Sequence, residues 1–256
     1  MRFLCLHGNG SSARIFDTQL SALQRALGSR YEFVFIQGEF PSDPGLGVDG
    51  MYPGPYYSPF DLPTKDQLSD AHALIDEAWE SDGPFDGLVG FSQGGSTMAS
   101  YLLQPETARK PFKCAVFFCS NLPFDPMSSP WKFVDKDHFV DATTGEEISA
   151  DDLMRSIPEV KLFDTSRYPT LRDELLLRRY TVGQGDTIQI DLPTVHVYAS
   201  NDSWYYEQCI ATEKLCQEVN RETVLHKGGH SVPWDAGTTT EIVDCIQNMQ
   251  QAVDLA

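Results

Sequence analysis

The chain has no long apolar run: no window approaches the roughly 20 uninterrupted hydrophobic residues that a membrane-spanning helix needs. It is also poor in basic residues, with 19 Lys and Arg against 37 Asp and Glu and a formal net charge of −18, so nucleic acid and anionic membranes would be repelled. Metal-binding spacing is missing as well. Cys5, Cys114, Cys119, Cys209, Cys216 and Cys245 contain no C-x-x-C pair, and the histidines form no H-x-H cluster. We therefore expect reduced, mostly buried thiols, no metal and no cofactor. The start, Met1-Arg2-Phe3-Leu4-Cys5-Leu6-His7-Gly8, has too few apolar residues for a secretory signal, which points to a cytoplasmic protein without a targeting segment. The glycine-rich stretches match neither G-x-x-x-x-G-K-[ST] nor G-x-G-x-x-G, and repeats and low-complexity tracts are absent.

What is present is a recurrent pattern of short apolar runs. Phe3 to His7, Tyr31 to Ile36, Gly87 to Phe91, Cys114 to Cys119, Thr194 to Ala199 and Glu222 to His226 are expected strands, several apolar along their whole length. Between them, helical spacing runs over Ala13 to Leu27, Asp66 to Glu80, Ser96 to Leu103, Tyr205 to Val219 and Thr239 to Val253. This βαβα alternation predicts an α/β fold with a mainly parallel, doubly wound sheet, helices on both faces, and ligands beyond the carboxyl ends of the strands. At 256 residues the chain suits one domain, burying roughly 70 to 75% of the unfolded surface.

Two stretches exceed this minimal plan. Gly38 to Thr64 is dense in Pro, Gly and aromatics and is expected to be an ordered loop rather than regular structure. Residues 121–191 separate two strands by about 70 positions, where a crossover needs about a dozen, so a lid-like insertion is expected there. Within it, Asp151 to Met154 and Leu171 to Tyr180 look helical, Ser128 to Pro130, Thr143 to Gly145 and Gly183 to Asp186 look like turns, and Arg172, Arg178 and Arg179 are candidates for a local basic patch.

Gly90-Phe91-Ser92-Gln93-Gly94 is a G-x-S-x-G turn set between an apolar strand and a helix, the context in which such a turn lifts a serine hydroxyl from the top of a sheet. A serine needs a base to take its proton and a carboxylate to orient that base, and on this scaffold the chain order is Ser, then Asp or Glu, then His. Asp202 follows the Thr194 to Ala199 strand, while Asp186 and Asp191 precede it. A helix N-cap is the alternative role for Asp202. His230 follows the last strand on the Gly228-Gly229 loop, whereas His196 and His226 lie within strands and are read as structural. The oxyanion then requires two backbone N–H donors, one from Gln93 and one from the loop after the first strand, at Asn9 or the neighbouring Gly10.

With these pieces placed, the chain resembles the fungal family of small serine hydrolases, members of the α/β-hydrolase superfamily. The resemblance is carried by Leu4 to Gly10, Ile15-Phe16, Tyr31 to Phe35, Gly54-Pro55-Tyr56-Tyr57, Gly90 to Gly95, Asp202 and Gly229-His230, and it covers nearly the whole chain. It implies Ser92, Asp202 and His230 as a catalytic triad. Gly54 to Tyr57 and Ile15-Phe16 look most like the branch found in secondary-metabolite clusters, which includes thioesterases that release polyketides from a synthase, as in the lovastatin pathway. A polyketide synthase is the partner this resemblance implies. Asn9-Gly10-Ser11-Ser12 departs from many relatives, which carry an aromatic residue after His-Gly.

Aromatics gather on the loops expected around the serine: Tyr52, Tyr56, Tyr57, Phe60, Trp131, Trp204 and Trp234. A pocket so lined suits an apolar acyl group, presented on a small molecule or a carrier protein. The expected activity is hydrolysis of an ester or thioester through an acyl-enzyme on Ser92. General carboxylesterase action, transfer or cyclisation of the acyl group, and non-catalytic binding of a small ligand are the alternatives.

Overall fold

The computed structural model describes residues 1–45, 47–135, 138–148, 173–182 and 189–255. Its strands are β1 (Arg2–Leu6), β2 (Glu32–Ile36), β3 (Phe40–Ser42), β4 (Tyr56–Ser58), β5 (Gly87–Phe91), β6 (Cys114–Phe118), β7 (Trp131–Asp135), β8 (His138–Asp141), β9 (Glu147–Ile148), β10 (Leu175–Leu176), β11 (Thr194–Ala199) and β12 (Arg221–His226). The helices are α1 (Ala13–Leu27), α2 (Lys65–Asp82), α3 (Gln93–Leu102), α4 (Tyr206–Lys214) and α5 (Ala236–Leu255).

The six runs expected as strands form one sheet in the order β12-β11-β6-β5-β1-β2, parallel throughout. Successive side chains of a strand point to opposite faces, and here both faces are covered. Phe3, Cys5, Val89, Val116, Phe118 and Val197 pack with Phe16 and Leu20 of α1 and Ile242 and Ile246 of α5. Their neighbours Leu4, Leu6, Leu88, Ala115 and Phe117 pack with Ile75 of α2 and with Met98 and Tyr101 of α3. Burial on both sides explains why these strands read as uninterrupted apolar runs. Among the described residues, no helix is long and apolar enough to cross a membrane.

The structure corrects several local readings. The segment 38–64 is not loop throughout, because β3 and β4 pair antiparallel, and this hairpin is tied to the chain after β1 by reciprocal Ser11 and Tyr57 backbone bonds of 3.1 and 2.7 Å. The helix expected to reach Val219 stops at Lys214. There Ile190 captures the chain, its N–H donating to Leu215 O at 2.8 Å and its carbonyl accepting from Gln217 N–H at 3.0 Å.

The insertion contains a second sheet, antiparallel in the order β10-β7-β8-β9, where no strands were expected. Leu175–Leu176 pairs with Trp131 and Lys132, so the described part of 171–180 is extended rather than helical. Arg178 and Arg179 form no free basic patch. Arg178 pairs with Asp141 at 2.5 Å, and Arg179 lies over the Phe124 ring at 4.2 Å. Residues 151–154, Leu171, Arg172 and 183–186 lie outside the described residues.

This small sheet has its own apolar cluster, in which two of the expected pocket residues, Phe60 and Trp131, take part. Trp131, Phe133, Phe139 and Leu176 pack against Phe60, Leu62, Leu68 and Phe124. Trp131 is 1% exposed and its indole N–H donates to Leu177 O at 3.0 Å, while Phe60 is 3% exposed and meets Phe124 edge-on. Their rings hold the insertion to the body.

The turn between β5 and α3 fits under the first strand with no space to spare. A Cβ at Gly94 would stand 2.2 Å from Leu6 O and 2.5 Å from His7 O, both backbone atoms. Gly94→Ala is expected to cost about 1–3 kcal/mol or more through overpacking. Urea unfolding measures this, and a midpoint equal to that of the parent would contradict it.

Candidate active site

Ser92 stands where fully buried β5 gives way to α3, with φ 53° and ψ −118°. A non-glycine residue held there costs on the order of 1–3 kcal/mol, and the surroundings fix it in place. Ser92 N–H donates to Phe118 O at 2.9 Å, and Ser92 O accepts from Ser96 N–H at 3.0 Å. Gly90 is needed because a Cβ there would lie 2.7 Å from Gly95 Cα. Gly8 brings the loop after β1 close to the serine, since its Cβ would lie 3.0 Å from that of Ser92.

Two loops from the carboxyl ends of neighbouring strands complete the cluster. His230 Nε2 lies 2.9 Å from Ser92 Oγ, and His230 Nδ1 lies 2.7 Å from Asp202 Oδ2. The imidazole is enclosed by Phe91, with ring centroids 5.2 Å apart, and by Tyr205 at 4.3 Å. The other oxygen of Asp202, Oδ1, accepts from Trp204 N–H and Tyr205 N–H at 3.2 Å each, and α4 opens after Tyr205 without a side-chain cap. Burial pushes its carboxyl up, but the His230 hydrogen bond and charge, with the two backbone donors, outweigh this and hold it below the usual carboxylate value.

The loop after β1 is held by groups that the sequence did not single out. Asn9 Oδ1 accepts from Ser42 Oγ at 3.2 Å and from Ser58 Oγ, so both strands of the β3–β4 hairpin grip its side chain. Gly10 N–H donates to Ser58 Oγ at 3.4 Å. Gln93 opens α3, and its side chain donates to Phe60 O at 3.1 Å. Tyr52, in the segment joining β3 to β4, and Tyr56 and Tyr57 of β4 are half-buried. Trp204 and Trp234 are 60% and 80% exposed, following Asp202 and His230 in sequence.

Among the described residues, one cluster has three groups of metal-ligating type: Cys119, Asp202 and His230. Its carboxylate and imidazole are already bonded to each other. Burial, aided by the charge of Asp202, pushes the Cys119 thiol up to about 12, so the sulfur is protonated.

A parallel sheet flanked by helices, with a strained serine elbow and a Ser-His-Asp hydrogen-bonded chain at its carboxyl edge, defines an α/β-hydrolase. The solved structure of esterase PE8 superposes on it with a TM-score of 0.54 at 15% identity, covering 97% of this chain and 92% of that one. Residues 1–242 match the family model described as Serine hydrolase (FSH1), and the chain belongs to that family. Esterase alnB of Emericella nidulans is 31% identical over 92% of this chain and 91% of its own length. Hydrolase FUB4 of Fusarium oxysporum f. sp. lycopersici is also 31% identical, over 91% of this chain and 92% of its own. The protein is thus a hydrolase of the serine class.

The lowered carboxyl of Asp202 sets a pH dependence of stability. Its contribution is present above the unfolded carboxylate value of about 4 and is lost as pH falls through the lower native value. The stability gap between wild type and Asp202→Asn in urea unfolding should therefore stay constant down to about pH 4 and close only below it. A gap that stays unchanged into the most acid samples would refute this.

Proposed function

We propose that the protein hydrolyses an ester or thioester of a hydrophobic acyl chain through an acyl-enzyme on Ser92, and that its product is a polyketide-type acid released in secondary metabolism. The observation that carries this is the continuous chain Ser92 Oγ, His230, Asp202, with links of 2.9 and 2.7 Å. His230 Nε2 takes the proton as Oγ attacks the acyl carbonyl, then hands it to the departing alcohol or thiol. Asp202 accepts from Nδ1–H throughout, fixing the tautomer and stabilising the imidazolium. A water activated by the same nitrogen then frees the acid.

The oxyanion is assigned to the backbone N–H groups of Gln93, at the start of α3, and of Asn9. Asn9 is favoured over Gly10 because Gly10 N–H is engaged by Ser58 Oγ. Tyr52, Tyr56, Tyr57, Trp204 and Trp234 are the aromatics assigned to the acyl chain, and the insertion acts as a lid that leans on Phe60. The acyl group arrives on a small molecule or a carrier protein of a polyketide synthase. The names of two relatives, an esterase and a hydrolase, agree with ester cleavage, and the polyketide assignment rests on Gly54 to Tyr57 and Ile15-Phe16.

Wild type should turn over both an acyl thioester and a chromogenic short-chain ester, giving free acid rather than lactone, and should be labelled by a fluorophosphonate. Ser92→Ala should lose turnover and labelling, and retained turnover would falsify the assignment. Ser58→Ala, which loosens the Asn9 carboxamide and the Gly10 amide together, should lower kcat about 10-fold with little change in KM. An unchanged kcat would remove Asn9 from the oxyanion site.

A further inference from the structure

The loop that carries His230 is gripped on both sides of that residue. On one side Gly228 N–H donates to His226 Nδ1 at 3.1 Å, and on the other Cys119 Sγ lies 3.5 Å from Ser231 O. The two grips meet, because Cys119 Sγ is 3.9 Å from His226 Nε2. Proton positions follow from this pattern. Since Nδ1 accepts a backbone N–H, the proton of the neutral His226 ring resides on Nε2 and faces the sulfur. The sulfur accepts it and gives its own S–H to Ser231 O.

Cys119 is built into this place at a cost. It has φ 43°, a left-handed conformation for a non-glycine residue, and its N–H is tied to Val197 O of β11 at 2.8 Å. The side chain is 1% exposed, and its Sγ, an Asp202 oxygen and a His230 nitrogen all lie within 4.8 Å of one another. The thiol thus lies close behind the bond between aspartate and histidine, where water would otherwise weaken it. Gly228 completes the fit, since a Cβ there would lie 3.0 Å from His226 Nδ1 and 3.1 Å from Ser231 Oγ.

We propose that Cys119 and His226 are positioning residues for His230, acting as a thiol–imidazole clamp that fixes the Gly228–Ser231 loop and so aims Nε2 at Ser92 Oγ. Neither touches the reacting atoms, and the proposal rests on the reading of His230 as the base. The clamp is sensitive to protons, because a proton on His226 Nδ1 would oppose Gly228 N–H and open one grip. Burial holds His226 below the ordinary imidazole value, Asp235 ahead of α5 and Asp202 after β11 pull it back up, and His230 pushes it down. The Cys119 thiol, from the end of β6, faces it uncharged.

The test is steady-state kinetics on a chromogenic short-chain ester from about pH 5 to about pH 9. Cys119→Val and His226→Phe should lower kcat ~10- to 100-fold with KM within about 2-fold of wild type. Cys119→Ser keeps a donor for Ser231 O, and His226→Asn keeps an acceptor for Gly228 N–H, so both should recover most of the loss. The clamp is overturned if the apolar variants keep wild-type kcat, or if conservative and apolar variants lose equally. Should the apolar variants fail to fold, Cys119→Ser and His226→Asn carry the test, and a kcat lowered ~10-fold or more in both overturns the clamp. His230→Ala in the same assay separates the two readings. If it stays active, the base assignment fails, and if it is dead while the clamp variants are unaffected, only the clamp fails.

Discussion

The backbone of Ser92 is the constraint on which the rest depends. A residue held at φ 53° between a buried strand and a helix cannot relax in either direction without breaking one of them. That junction requires glycine at 90 and 94, because backbone atoms occupy the space a side chain would need, and it draws the loop after β1 beneath the start of α3. The hydroxyl, the first amide of α3 and the Asn9 region therefore share one rigid frame.

The parallel sheet explains why distant residues converge on this frame. Asp202 and His230 leave neighbouring strands β11 and β12 at the same edge, and β6 stands between them and β5. The residues after β6, β11 and β12 accordingly form one neighbourhood, linked by Cys119 N–H to Val197 O and Ser200 N–H to His226 O. Precision at the site comes from loops that begin on adjacent rails, and their length matters little.

What was legible in the sequence follows the same division. Doubly buried strands announce themselves as continuous apolar runs, and the elbow has glycine spacing, so the main sheet and the Ser92, Asp202, His230 order could be read directly. The small sheet could not. Its strands are two to five residues long, and Leu175–Leu176 lies in a stretch of helical composition that is extended only because Trp131 pairs with it. Trp131 itself is indistinguishable in sequence from a pocket aromatic, and only its buried, donated indole N–H shows that it belongs to a core. The Ser42, Ser58 and Cys119 ties bridge up to 112 positions and have no spacing that could reveal them.

The β3–β4 hairpin is fastened at its base, where Ser42 and Ser58 hold Asn9 and Tyr57 pairs with Ser11. Its tip is different. Asp49, Gly50, Met51, Pro53, Gly54 and Pro55 are exposed and lie beyond those ties. The hairpin thus behaves as a cassette whose tip can be rewritten by mutation without disturbing the amides at its root. A lineage built on this frame can vary that exposed tip in length and chemistry while Ser42, Ser58 and Tyr57 keep their partners.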